Sequence, residues 1–208
     1  MPRNLNTVKN RPSYHHGQLR ESLLKAAESV IAERGVDAFS LRETARRAGV
    51  SPAAPAHHFG DARGLLTALA TLAFAEFGDA LAAGVAATKP DGPEAMLQAQ
   101  GIAYVRFALQ HRAKFDLMWR YALINREDPS YQEASQRGFL LLDRAVRGVA
   151  APQAAGPTDP LLAPSIACWA TVHGFARLAL DGAFGTDAGA PQRAAEALLP
   201  AVLRHLRV

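Results

Sequence analysis

Cysteine is nearly absent: Cys168 stands alone among 208 residues. A single thiol forms no intrachain disulfide and fits a reducing compartment, so a cytoplasmic location is expected. No apolar stretch of about eighteen residues or more runs free of charge, so no membrane span is expected. The opening MPRNLNTVKNRPSY holds basic residues with no apolar run behind them, unlike a secretory signal. A nucleophile elbow, a glycine-rich phosphate loop, HExxH and CxxC are all missing, and Cys168 has no sequence-visible partner base. Neither an enzyme nor a cofactor is expected. Adjacent histidines at His15/His16 and His57/His58 point about 100° apart on a helix, which disfavours a metal site. Internal repeats and alternating strand patterns are missing as well.

What is present is alanine, leucine and an uneven charge. Hydrophobic residues make up 49% of the chain, and few β-branched runs occur among them, which favours helices. The formal net charge is +4. Residues 1–60 hold nine Lys/Arg against five acids, whereas residues 61–208 hold fourteen of each. All the excess positive charge therefore sits in the first sixty residues, the footprint of a polyanion-binding module on a neutral body.

Residues 1–13 are polar, contain Pro2 and Pro12, and read as a disordered basic arm. From Gly17 to Arg34, Leu19, Leu23, Ala26/Ala27, Val30 and Ile31 recur at helical steps, and Gly35 suits the helix end. In FSLRETARRAGVS, Ser40 and Glu43 form a capping box ahead of a short helix over 41–48, with Arg42, Arg46 and Arg47 exposed. Gly49 takes a sharp turn, Val50 plugs the core, and Ser51 caps a third helix. Pro52 then falls at the first helical position and Pro55 at the fourth, where it deletes the first internal hydrogen bond. That is the helix-turn-helix pattern.

Asp61 opens a long apolar helix to about Thr88. Further helices are expected over about 94–111, through AKFDLMWRYAL, and over 131–150, 161–184 and 190–206, separated by TKPDGP, NREDPS, APQAAGPTDP and GTDAGAP. The fold class is all-α with about nine helices. The domains expected are a helix-turn-helix module over 14–60 and a second body over 61–208, with the helix over about 61–88 linking the two.

The stretch from YHHGQLRESLLKAAESVIAERGVDAFSLRETARRAGVS to HHFGDARGLLTAL resembles the N-terminal domain of the tetracycline-repressor-like (TetR/AcrR) family of bacterial transcription regulators. CWATVHGFARLALDG (168–182), with Trp169, His173 and Gly174, resembles the WHG-type C-terminal ligand-binding and dimerisation domain of one branch, and HRAKFDLMW is typical of that branch. The resemblance implies a ligand-responsive repressor that binds a palindromic operator in double-stranded DNA as a homodimer. A small-molecule effector in the second domain changes the spacing of two modules in successive major grooves. It implies a DNA site at Ser40, Arg42, Ser51, Pro52, Ala53, Ala56, His57 and Arg63. Arg42 stands where members carry a base- or backbone-reading cation. Ala56 stands where they carry an aromatic, often tyrosine, and Ala62 where they carry lysine, with Arg63 one position along as a substitute.

Pro52, Ala53, Ala54 and Ala56 offer apolar surface that senses thymine methyls and groove shape but makes no bidentate base pair. In the body, Tyr104, Phe107, Phe115, Met118, Trp119 and Phe139 are candidates to line an apolar effector pocket or to pack as core. Trp169 and His173, one helical turn apart, either touch the effector or pack and form a buried hydrogen bond. The last two helices, with Gly174, Gly182 and alanines, suit a dimer bundle. Two alternatives stand beside this reading. One is a helical small-molecule binder or enzyme using a Trp169/His173 pocket without specific DNA binding. The other is a helix-turn-helix protein whose groove reading has decayed.

Overall fold

The computed structural model describes residues 12–148 and 150–206. Among them are nine α-helices and no strand: α1 (Pro12–Arg34), α2 (Leu41–Arg47), α3 (Ala54–Phe59), α4 (Ala62–Thr88), α5 (Gly92–Gln110), α6 (Arg112–Met118), α7 (Pro129–Arg147), α8 (Ala163–Leu180) and α9 (Ala190–Arg204). Helix α1 already runs at Pro12, so the last two residues of the expected disordered arm are helical; residues 1–11 lie outside the described residues.

Proline explains most of the boundary differences. Pro93, Pro129, Pro164 and Pro191 all sit in the first turn of a helix. Read as breakers, such prolines delay the expected start of α5 and α7 by two residues. The first-turn N–H groups have no intrahelical partner anyway, so a proline there sacrifices nothing.

The same physics overturns the expected start of α3. The helix begins at Ala54, not Pro52; its N-cap is Ala53, and Ser51 makes no side-chain cap. Instead the Ser51 carbonyl accepts from the Ala54 N–H at 3.0 Å, closing a turn. Pro55 thereby falls in the first turn, where its missing N–H is harmless, and its ring is buried. The expected loss of the first internal hydrogen bond is avoided by starting the helix later.

Helix α2 packs against both α1 and α3, and α1 and α3 pack onto α4. Helix α4 is long and apolar enough to cross a membrane by length and composition alone, although Arg63, Glu76 and Asp79 interrupt it. More than half of its most apolar window is buried, chiefly against α5 and α7, and it is the core helix of the body. Leu65, Leu69, Phe74, Phe77 and Leu81 supply its inner face. Gly138 of α7 lets that helix close on α4, since a Cβ there would meet the Phe77 ring at 2.8 Å. Helix α6 touches both α4 and α1, so it joins the body to the N-terminal module.

Candidate functional site

Two surfaces carry chemistry, and the first is the N-terminal module. Ser40 caps α2, its Oγ accepting from the Glu43 N–H at 3.4 Å. The reciprocal half of the expected capping box is not made. The Glu43 carboxylate instead accepts from Arg46 Nε at 2.9 Å and Arg47 Nε at 2.8 Å. These two arginines, three and four residues along the helix, outcompete one backbone N–H because both partners are charged. They hold the Glu43 carboxyl at about 2, well below its ordinary value.

Arg47 is not the exposed residue expected. Its side chain is 15% exposed, and its guanidinium also donates to Ser29 Oγ at 2.9 Å and Glu33 Oε1 at 2.7 Å. It clamps α2 onto α1. Arg34 and Arg46 both lie against Glu43 as well, so these cations are consumed within the module.

Arg42 differs. It is exposed, near the N-terminus of α2, and makes no ion pair or hydrogen bond among the described residues. The Arg63 guanidinium, in the first turn of α4, is likewise exposed and unpaired among them. Gly49 makes the turn between α2 and α3 with φ 68°. Ser51, Pro52, Ala53, Ala56 and His57 are all exposed around α3, whereas His58 turns inward beside Phe59. The eight residues singled out for DNA therefore lie along one short run of the module, with Arg42 and Arg63 as its uncommitted cations among small apolar groups.

The second surface is a cavity of about 910 Å³ in the body, bounded by α4, α5, α7 and α8. Four of the eight expected effector residues line it: Tyr104, Trp119, Phe139 and Trp169. Phe107, Phe115 and Met118 do not; they are 3%, 0% and 0% exposed and fill the solid core beneath. Helical periodicity identifies an apolar face but not which rungs of it border a void. Phe74, Phe77, Gln100 and Tyr131 also line the cavity, and sequence reasoning misses them. Phe74 and Phe77 read as core, and Gln100, a glutamine among apolar residues, is the one signal that points here.

His173 stands behind the wall rather than in it. Its Nδ1 lies 2.8 Å from the Tyr104 hydroxyl, which in turn accepts from Trp169 Nε1 at 3.3 Å. The indole can only donate, so the hydroxyl accepts from Trp169 and shares a second hydrogen bond with His173 Nδ1. Burial, with the nearby Arg177 charge, lowers the His173 pKa and favours the neutral ring. Burial likewise pushes the Tyr104 hydroxyl up and holds it protonated. Of the two readings of this pair, Trp169 borders the cavity and His173 orients the wall.

Comparison with known proteins bears on both surfaces. Residues 23–69 match bacterial regulatory proteins of the tetR family, and residues 97–202 match the tetracyclin repressor-like C-terminal domain. The HTH-type transcriptional regulator BetI of Yersinia pestis (strain Pestoides F) is 34% identical over 80 residues, 38% of this chain. The match spans only 40% of that relative's length. A protein of unknown function from Rhodococcus sp. RHA1 is 36% identical, with 93% of this chain and 98% of that one covered at a TM-score of 0.70. The TetR family transcriptional regulator PfmR from Thermus thermophilus shares the fold at 23% identity and a TM-score of 0.63, with 89% of this chain and 99% of that one covered. With one family domain over its helix-turn-helix module and another over its cavity, the chain belongs to the tetracyclin-repressor-like (tetR) family of bacterial regulatory proteins.

Proposed function

We propose that this chain is a cytoplasmic, homodimeric repressor that reads a palindromic operator and releases it when a small molecule fills the aromatic cavity. The observation that carries the DNA-binding part is the contrast among the arginines. Arg34, Arg46 and Arg47 are spent on Glu43 and Glu33, while Arg42 and Arg63 flank the turn and α3 with no partner among the described residues. Unpaired guanidinium groups beside a major-groove helix suit a phosphate or a guanine edge. The module comprises α1 to α3 and the body the remainder, with α4 shared between them.

Dimerisation is supported by the outer face of α8 and α9. There Leu178 and Leu198 are 52% and 45% exposed, and Gly174 leaves room for close helix approach. Pairing two modules on successive turns of one DNA face requires half-sites about 34–36 Å apart.

Coupling runs through α6. Trp119 borders the cavity just beyond its end, and Lys114 within it bridges Glu76 of α4 at 2.7 Å and Glu28 of α1 at 3.3 Å. Arg120 adds a bond to Asp37 beside the module at 2.7 Å. A ligand that shifts Trp119 therefore pulls on both anchors of the N-terminal module, and differential affinity for the two arrangements makes it an inducer. Catalysis has no support at Cys168, whose thiol is buried and pushed up, away from the reactive thiolate.

The test is fluorescence anisotropy on promoter fragments, beginning with the one upstream of its own gene. Salt-sensitive binding to one palindrome, at least about a hundredfold tighter than to bulk DNA, is expected. Sequence-indifferent binding at physiological salt would overturn it.

A further inference from the structure

We infer that the cavity takes a monoanionic acid with an aromatic body, its carboxylate seated between the Arg126 guanidinium and the Tyr131 hydroxyl. This rests on the ligand-binding reading of the cavity above and names the class of ligand for it.

Both residues line the cavity. Arg126 lies just ahead of α7, exposed, with its guanidinium 4.7 Å from the centroid of the Tyr121 ring. Stacking uses the flat face of the guanidinium and leaves its N–H edge free. No carboxylate takes that edge among the described residues. Glu127 and Asp128 follow directly, yet neither pairs with Arg126, and the Asp128 carboxylate is occupied in accepting from the Tyr131 N–H at 3.0 Å. Gln132 Nε2 donates to the Arg126 carbonyl at 3.0 Å and fixes the backbone there. Tyr131 is 4% exposed, and its hydroxyl makes no hydrogen bond among the described residues. Unlike the sealed Trp119 nitrogen, that hydroxyl keeps accessible surface, so a ligand can reach it. Burial and the neighbouring Tyr121 raise its pKa against the pull of Arg126, so it stays protonated and can donate. A buried hydroxyl without a partner is unfavourable, and an anion is its strongest acceptor.

The charges along the lining agree. Among the described residues its one carboxylate, Asp143, is held by Arg147 at 2.6 and 2.7 Å and by Ser165 Oγ at 2.7 Å, so a cation finds no free partner. Two cations, Arg126 and Arg144, remain without an ion pair. Arg144 lies about 20 Å further along α7 than Tyr131, too far to share one carboxylate with Arg126. The ring system of the acid has its place as well. Phe74 meets Tyr131 edge-on at 5.7 Å and Trp119 at 5.6 Å, and Trp119 leans on Trp169 at 5.5 Å. The aromatic wall thus begins at the Arg126 end and runs on to Trp169. An acid seated there lies against Trp119, the residue through which release is proposed to pass.

The test uses three probes with one body and three charges on the intact protein: para-carboxybenzophenone, its carboxamide and para-aminomethylbenzophenone. Calorimetry gives the affinities, and the irradiated ketone crosslinks to neighbouring C–H bonds, so peptide mapping reports where each probe sits. The carboxylate is expected to bind at least about tenfold tighter than the carboxamide or the amine, and to crosslink to α4, α5, α7 or α8. Arg126→Gln is expected to remove most of that preference, and Tyr131→Phe to shrink it by about threefold to tenfold, with carboxamide binding kept in both. Arg144→Gln deletes the same charge at the far end of the lining and is expected to leave the preference within about twofold. Neither Arg126→Gln nor Tyr131→Phe removes a side-chain hydrogen bond of the free protein, so both are expected to keep the melting temperature. Equal binding of the three probes in the cavity, preference for the amide or the amine, or a preference that survives Arg126→Gln overturns the acid site and leaves the ligand-binding reading standing. Crosslinking only outside the cavity, or no binding by any probe, overturns both.

Discussion

At the residue scale, the module's arginines divide into structural and uncommitted ones by their position relative to Glu43. Arg46 and Arg47 lie three and four residues after it and fold back onto its carboxylate; Arg42, one residue before it, stays exposed. Arg42→Ala is therefore expected to cost about 1–3 kcal/mol of specific operator binding with no change in melting temperature. Titration of labelled operator checks this, and an unchanged affinity would remove Arg42 from the interface. A second residue-scale prediction concerns pH. The native pKa of His173 lies below 6.5, so the unfolded chain takes up a proton first as pH falls. Its contribution to stability is complete above about pH 6.5 and is lost as pH drops toward the lowered native value. Glu43, held at about 2, contributes in a separate window, above its ordinary 4.5 and lost between 4.5 and 2. Melting curves from about pH 8 to 5 are expected to fall less steeply for His173→Asn than for the parent.

At the element scale, α3 has only six residues, His57 is its exposed hydrogen-bonding ring, and a proline sets its start. The position of this element was legible from Gly49 and Asp61 on either side. Asp61 does cap α4, accepting from the Gly64 N–H at 2.8 Å. The register of α3 was not legible, because Ser51-Pro52 is an equally good start signal. What decides between the two starts is the burial of Pro55, a packing fact. The turn itself depends on Gly49 at φ 68°, with open space where a Cβ would be. Gly49→Ala therefore meets no clash, and its penalty is the left-handed backbone alone, about 1–2 kcal/mol. Urea denaturation at constant m-value is the measurement; no loss would mean that the turn tolerates another geometry.

At the scale of the whole molecule, the proposed function depends on two copies of the chain and on transmission between its two surfaces. Leu178→Glu with Leu198→Glu is expected to yield a folded monomer in analytical ultracentrifugation, and to weaken operator binding at least about a hundredfold by removing the second half-site. A dimer that survives both charges would place the interface elsewhere. The proposed transmission relies on the Lys114 bridges, which join residues far apart in sequence: Glu28, Glu76 and Lys114 belong to three helices. Nothing in their spacing announces this.

The helices, the glycine turn, the caps at Ser40 and Asp61 and the concentration of positive charge were all determined by the sequence, because each depends on neighbours within a few residues. The family signatures were equally local. Tertiary structure alone decided which arginines remain uncommitted, which aromatics border the cavity and which pack solidly beside it, and that His173 serves Tyr104 from behind the cavity wall. It also decided that Gln100 and Trp119 each keep one buried polar atom unpaired among the described residues. These outcomes turn on close approaches between helices tens of residues apart, where a small shift separates a filled core from a wall, and periodicity carries no such information.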